Sequence, residues 1–388
     1  MDLAAAFMPW AHVVRDQVPG LALFDAHTHI GQNDPDEMKQ SAEELISVLA
    51  AADARGAFVF PMHELGGYPP ANDMVIAAAQ ESNGKLVPFC RLDPNDSPVS
   101  EAERCLERGA KGIKLHPRAE QFTLNHPEIR NIVALANERR LPVLIHAGRG
   151  IPALGRHAAE LSAALPDARL ILAHAGICDL AWIWRSAREL PNLYFDTAWW
   201  TPSDLLTLFT LVPPGQVLFG SDAPYATPTF GASMALRYAW QAGLSPEQAR
   251  TVGGAQLERL LAWEEPLGAG AAVGTDSLSH DPLLDRVYSC LVSAIGQMIN
   301  GVEPTETLQL AGLACEVGEE APQAEVCRMV LRLIEERSRY SAGIDGRPAR
   351  FAPGLHLIVL AACVTRTPDA PLPGLDEAVS PSEGRVAR

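Results

Sequence analysis

The chain has 388 residues, 47% hydrophobic and 20% charged, and a mean hydropathy of +0.02, a balance that can bury a large core without disulfide or metal staples. A formal charge of -16 argues against nucleic acid and anionic membrane surfaces as partners, since both carry the same sign. No apolar run nears the ~20 residues of a bilayer span, the first residues lack the basic start and apolar core of a signal peptide, and seven cysteines without a Cys-x-x-Cys pair fit free thiols. The expected compartment is the cytoplasm.

The first strand signal is the apolar run 21–24, which leads into Asp25-Ala26-His27-Thr28-His29. Alternate residues of a strand project to one side, so His27 and His29 face together and one ion can bridge them. Helical spacing over 41–55 precedes a strand over 57–62, with His63 after it. A third strand, 86–92, carries Arg91, and helical patterning covers 99–108. The run 112–115 holds Lys114 and leads to His116 on the same face, while Ile113 and Leu115 share the other. Helix 126–140 leads to strand 142–145, followed by His146 and Arg149. Helix 153–165 leads to strand 170–173 and His174. Strand 193–197 is followed by Trp199 and Trp200, and strand 216–220 by Asp222.

Eight strands, seven of them followed by a candidate helix, require a parallel sheet. Eight such units over about 240 residues match a closed (β/α)8 TIM barrel of the α/β class. Parallel barrels work at the carboxyl ends of their strands, where every candidate falls. A lone strand-end His or Asp is ordinarily a hydrogen-bonded structural residue; five ligand-bearing ends in barrel order point instead to a shared site. His12, His126, His157, His280 and His356 lie away from strand ends and read as structural or surface histidines.

The segments Phe24-Asp-Ala-His-Thr-His-Ile-Gly31, Gly112-Ile-Lys-Leu-His-Pro117, Leu144-Ile-His-Ala-Gly148, Leu172-Ala-His-Ala-Gly176 and Leu218-Phe-Gly-Ser-Asp-Ala-Pro224 carry a resemblance. From about residue 20 to 263 the chain resembles the amidohydrolase superfamily of metal-dependent barrel hydrolases. It is most similar to the amidohydrolase 2 branch, which includes aminocarboxymuconate-semialdehyde decarboxylase-like enzymes. The resemblance implies that His27, His29, His146 and Asp222 hold a divalent metal. Zinc is the first choice for such ligands, ahead of iron, manganese or nickel. Asp222 would accept a proton from water acidified by the metal. His174 would polarise the substrate carbonyl, act as acid or base, or ligate a second ion. Lys114, one of only four lysines, would bridge two ions if carboxylated; unmodified, it would bind a substrate carboxylate or pair with a strand-end acid. One ion is the favoured count, two the alternative. Arg91, Arg149, His116 and Trp199 are the candidate substrate contacts, with a salt bridge to a loop acid such as Asp93 as the structural alternative for the arginines.

The expected partner is a small molecule, and three readings stand. The first is hydrolysis of an amide, lactam, lactone or ester; the second is non-oxidative decarboxylation on the same metal. An inactive barrel kept for binding or assembly is the third, disfavoured because no expected ligand is missing.

After the barrel, residues 1–264, the pattern changes. Segment 245–261 resembles the family's closing helix, with Ala255 where an asparagine is usual. Residues 265–280 are Gly/Ala-rich and read as a linker. Apolar residues at helical spacing predict a helical appendage over 281–366, including a short apolar helix or strand over 355–364. Its apolar faces would pack on themselves, on the barrel's outer helices, over the barrel mouth as a lid, or across a homo-oligomer interface. Residues 367–388, rich in proline and acids, predict disorder.

Overall fold

The computed structural model describes residues 3–35, 37–179, 182–276, 278, 280–341, 354–375 and 378. Eight strands form one sheet in chain order: β1 (Leu23–Ile30), β2 (Ala54–Pro61), β3 (Leu86–Arg91), β4 (Gly112–Leu115), β5 (Pro142–Ile145), β6 (Arg169–Leu172), β7 (Leu193–Asp196) and β8 (Val217–Leu218). Each pairs in parallel with the next. The ring returns to its start where Ala26 N–H donates to Phe219 O at 2.8 Å and Asp222 N–H to His27 O at 2.9 Å. The fold is a TIM barrel followed by C-terminal helices.

The helices are α1 (Leu3–Arg15), α2 (Ala42–Ala51), α3 (Pro69–Glu81), α4 (Pro98–Glu107), α5 (Pro127–Arg139), α6 (Leu154–Ala164), α7 (Ile183–Ser186), α8 (Pro202–Leu211), α9 (Pro228–Gln241), α10 (Pro246–Arg250), α11 (Gln256–Leu261), α12 (Pro282–Ile299), α13 (Thr305–Ala314), α14 (Ala324–Ser341) and α15 (Leu355–Arg366). Their starts are written locally. Ser41 and Glu44 form a reciprocal cap on α2, and Thr227 caps α9 ahead of Pro228. Asp281 accepts from the backbone of Leu283 and Leu284 to open α12.

Strand alternation sorts the apolar side chains into two layers. Phe24, Phe58, Phe60, Phe89, Leu144 and Ile171 fill the barrel interior, closed below by Leu257 and Leu260 of α11. Ile113, Leu115, Val143 and Leu170 belong to the layer between sheet and helices, so Ile113 and Leu115 do face away from Lys114.

Four features depart from the sequence reading. Helix α1 was not anticipated; it packs on α9, with the Phe7 and Phe230 rings 4.9 Å apart. Segment 245–261 is split by a π-helical turn at Thr251–Ala255. There a Cβ on Gly254 would lie 2.6 Å from Ala22 O, and one on Gly253 2.5 Å from a Leu21 methyl, so only glycines allow this approach to the root of β1. Between β6 and β7 a 3-10 stretch and the one-turn α7 replace a regular helix.

The fourth departure concerns the expected disorder from residue 367. Buried Arg237 donates to Thr367 Oγ1 and O at 3.0 Å and to Pro371 O at 2.6 Å, fixing the start of that segment. Trp10 Nε1 donates to Ala378 O at 3.0 Å. Residues 376–377 and 379–388 lie outside the described residues. The linker is also fastened, by Gly274 N–H to Thr210 O and Leu267 N–H to Gln256 Oε1.

Segment 355–364, left open between helix and strand, is helical. Its helix, α15, is apolar and nearly all buried, set against α12 and α14 on one side and α8 and α9 on the other. The apolar layer of the appendage is therefore continuous with that around the barrel.

Candidate metal centre

Parity in β1 brings His27 and His29 to one side, with ring centroids 5.2 Å apart. After β8 the chain carries Asp222 to them: Oδ1 lies 3.2 Å from His27 Nε2 and 3.1 Å from His29 Nε2. Ligand atoms of His27, His174 and Asp222 all lie within 4.8 Å of one another, the geometry of a possible metal site. His174 Nε2 is in turn 2.9 Å from His146 Nδ1, and His146 stacks on His116 with centroids 3.8 Å apart. Five imidazoles and one carboxylate thus form one contiguous cluster. His174 stands in the compact trio, and His146 stands one ring behind it.

Two backbone conformations mark the same place. His174 (φ 54°) and Asp222 (φ 62°) both lie in the left-handed region, which side chains rarely adopt. Each is held there: His174 N–H donates to Asp196 Oδ1 at 2.8 Å, and Asp222 N–H to His27 O. Such strain, about 1–3 kcal/mol, persists where surrounding contacts over-determine it, and it gathers at functional sites.

Acids that the sequence assigned no role orient this cluster. Asp196, the last residue of β7, accepts from His27 Nδ1–H at 2.7 Å through Oδ2, and from the backbone of His174 and Ala198 through Oδ1. Asp25 Oδ1 accepts from His27 N–H at 2.9 Å and Ser221 N–H at 3.0 Å, tying β1 to the loop after β8. Burial pushes Asp25 and Asp196 up to about 7 and Asp222 up to about 6. Burial likewise lowers all five imidazoles, which are neutral at pH 7 and offer lone pairs. A strand-end acid was a legible signal for Asp196. Asp25 stood inside a motif already singled out.

The donor set fits a cation. His27 spends its proton on Asp196, so Nε2 carries the lone pair, and that lone pair faces an Asp222 oxygen at 3.2 Å. Two acceptors 3.2 Å apart call for a positive centre beside them. Lys114 Nζ is one such group, donating to His27 Nε2 in a long hydrogen bond of 3.4 Å, and it lies 4.4 Å from the Phe60 ring centroid. Burial and the charge of Arg91 push its ammonium down to about 7.

The remaining candidates divide. Arg91 is buried and donates to Glu120 Oε1 at 2.7 Å, so its acid is Glu120 and not Asp93, whose Oδ1 caps the Asn95 backbone. Tyr68 donates to the same Glu120, a loop acid whose side chain is only 3% exposed. His116 Nδ1 accepts from Ala119 N–H, leaving the ring proton on Nε2. Trp199 donates to Asp204 Oδ2 with its ring centroid 6.2 Å from that of His174. Arg149 is on the rim, 70% exposed, 3.7 Å from Asp204 and over the Trp199 ring.

A cavity of about 500 Å³ opens over the cluster, well within the ~300–1,000 Å³ of small-molecule sites. Arg91, Arg118, His116, Arg149 and Trp199 line it, as do residues from beyond the barrel. His356, set aside as structural, is one of these. It donates through Nε2 to Tyr225 O at 3.1 Å and packs its ring 4.8 Å from Phe230, while the Tyr225 ring stands edge-on to His29. Helix α15 is thus keyed to the loop that carries Asp222.

Residues 24–255 match the model of the amidohydrolase family, and the chain belongs to it. Among solved structures it is similar to an amidohydrolase II (20% identity over 62% of this chain and 100% of the other, TM-score 0.49). It is also similar to 5-carboxyvanillate decarboxylase from Sphingomonas paucimobilis (13%, 63% and 99%, 0.49). A third is 4-oxalomesaconate hydratase from Rhodopseudomonas palustris (18%, 62% and 95%, 0.47). At such identities and scores none assigns a reaction to this chain. A comparison with curated protein sequences gives no significant match. Among the described residues, no helix is long and apolar enough to cross a membrane.

Proposed function

We propose that this chain is a metal-dependent hydrolase that opens an amide, lactam, lactone or ester bond of a small molecule, with one zinc ion as cofactor. The observation that carries the reading is the gathering of His27, His174 and Asp222 ligand atoms within 4.8 Å of one another, with His27 Nε2 3.2 Å from Asp222 Oδ1, inside a cluster of neutral imidazoles. His27, His29, His146 and Asp222 would hold the ion. When bound, such an ion supplies Lewis acidity toward a carbonyl oxygen and lowers the pKa of water from ~15.7 towards ~7.

The chain's own groups would do the rest. Asp222 takes the proton of the attacking water. His174 Nδ1–H is committed to Ala198 O at 2.6 Å, so its acid or base role runs through Nε2. His116 donates from Nε2 to a substrate oxygen. Arg91, held by Glu120, and Arg149 at the rim present guanidinium forks to substrate, and Trp199 supplies an aromatic wall. A carboxylated Lys114 bridging two ions is the alternative, and metal stoichiometry with the intact protein's mass separates the two counts.

Decarboxylation is the second reading, favoured by one observation: Arg91 and Arg118 both line the cavity and suit a substrate carboxylate. A screen of small carbonyl compounds in oxygen-labelled water, on zinc-loaded protein, tests both. Label in the product acid is the expected result; release of carbon dioxide without label would replace hydrolysis with decarboxylation.

A further inference from the structure

The cavity has two unlike ends. Its floor is the histidine and carboxylate cluster at the strand ends. Its far side is apolar and takes three residues from outside the segment 24–255 that matches the family, Leu355 and Val359 of α15 and Ile299 of α12, together with Met234 of α9; Phe230 and Ala226 also line the cavity. Leu355 and Val359 are one helical turn apart and so share a face of α15. Only 3% and 1% of their surfaces are open to water, so they border the cavity with the edges of otherwise packed side chains.

Neither the placement nor the rigidity of this wall is accidental to the site. His356, next to Leu355, donates to Tyr225 O, and Tyr225 lies three residues after Asp222. Behind the wall, Leu357, Ile358 and Leu360 are wholly buried in the appendage core. The appendage therefore holds an apolar surface at fixed register to the cluster.

Resting on the reading of the cluster as a metal-dependent centre, we infer that the substrate carries an aliphatic or aryl portion beyond its reacting carbonyl, seated against Leu355, Val359, Ile299 and Met234. The C-terminal appendage is thus a specificity element of the active site. Its side chains select the apolar portion and take no part in the chemistry.

The test uses full-length, zinc-loaded protein and a graded series of hydroxamates, which grip a bound metal by the head group and differ only in the tail: aceto-, butyro-, hexano- and benzohydroxamate. Binding is measured by calorimetry, with zinc content determined on the same samples. Affinity is expected to rise about fourfold per methylene, the value of burying one CH2, until the space is filled. Val359→Phe, which narrows the far end, is expected to weaken hexanohydroxamate tenfold or more and leave acetohydroxamate unchanged. Val359→Ala serves as the milder variant, and circular dichroism confirms that each is folded. Bound zinc and acetohydroxamate without any gain from the tail, or a Val359 effect equal across the series, would overturn the specificity role alone. Failure to bind zinc and every hydroxamate would overturn the metal reading and this proposal with it, and the zinc content tells the two failures apart.

Discussion

The two ends of the cavity are built by different physics. At the strand ends directional contacts fix key groups: Asp196 and Asp25 accept from His27, Ala198 accepts from His174, and Glu120 holds Arg91. At the α15 end the wall is set by shape, through close-packed apolar helices around Leu357, Ile358 and Leu360. Hydrogen bonds specify orientation to within a fraction of an ångström, which chemistry requires, whereas packing specifies volume, which selection among substrates requires. The difference teaches that losses at the first end should appear in metal binding and turnover, and losses at the second in stability and substrate preference.

The sharpest break of this contrast is His27→Ala. Removal of the imidazole that contacts both Asp222 and Asp196 is expected to abolish bound metal and turnover together. Elemental analysis and activity on the same preparation check it, and a variant with full metal content would remove His27 from the ligand set. Its thermal unfolding should stay cooperative, since the barrel layers do not depend on that ring.

Leu360→Ala is the converse. A fully buried leucine truncated in a close-packed layer costs about 2–5 kcal/mol. Urea unfolding should show that loss in one transition, because the appendage and barrel share a continuous apolar layer. Two separated transitions, with the barrel's midpoint unmoved, would make the appendage an independent unit. Zinc content is expected to remain at the parental value.

Next in size is Asp196→Asn. The amide keeps the volume but no longer offers His27 Nδ1–H a carboxylate, and the loss of such a supporting group costs ~10–100-fold in metal affinity. Competition against a chelator of known strength measures it. An unchanged affinity would demote Asp196 to a backbone tie for His174 and Ala198.

These residues also show what a sequence can and cannot carry. The barrel was legible because period-two and helical repeats are local, and the imidazoles were legible because they recur at strand ends. Asp196 ends a strand in the same way, but an acid with no visible partner carries little weight until His27 is known to face it. Glu120 was opaque for another reason: it sits in a loop 29 positions from Arg91, and the pairing of β3 with β4 brings them to 2.7 Å. The appendage's helical spacing predicted covered faces without saying what covers them. For the same reason the sequence could not show that His356, read as structural, ties α15 to Tyr225.

The smallest expected effect belongs to Arg149, which lies between the two ends on the rim. Its guanidinium is mostly exposed, 3.7 Å from Asp204 and 5.8 Å from the Trp199 ring centroid, so water and salt screen both contacts. Arg149→Ala should change stability by no more than ~1 kcal/mol and leave zinc content alone. What it removes is a positive charge at the cavity mouth of an acidic protein, which matters for an approaching anion. For a carboxylated substrate kcat/KM is expected to fall a few-fold at low ionic strength, the deficit shrinking as salt is added, while a neutral ester or amide is unaffected. Equal losses for charged and neutral substrates, insensitive to salt, would mean that Arg149 acts through the position of Trp199, and would shift the rim from the electrostatic end of the comparison to the packed one.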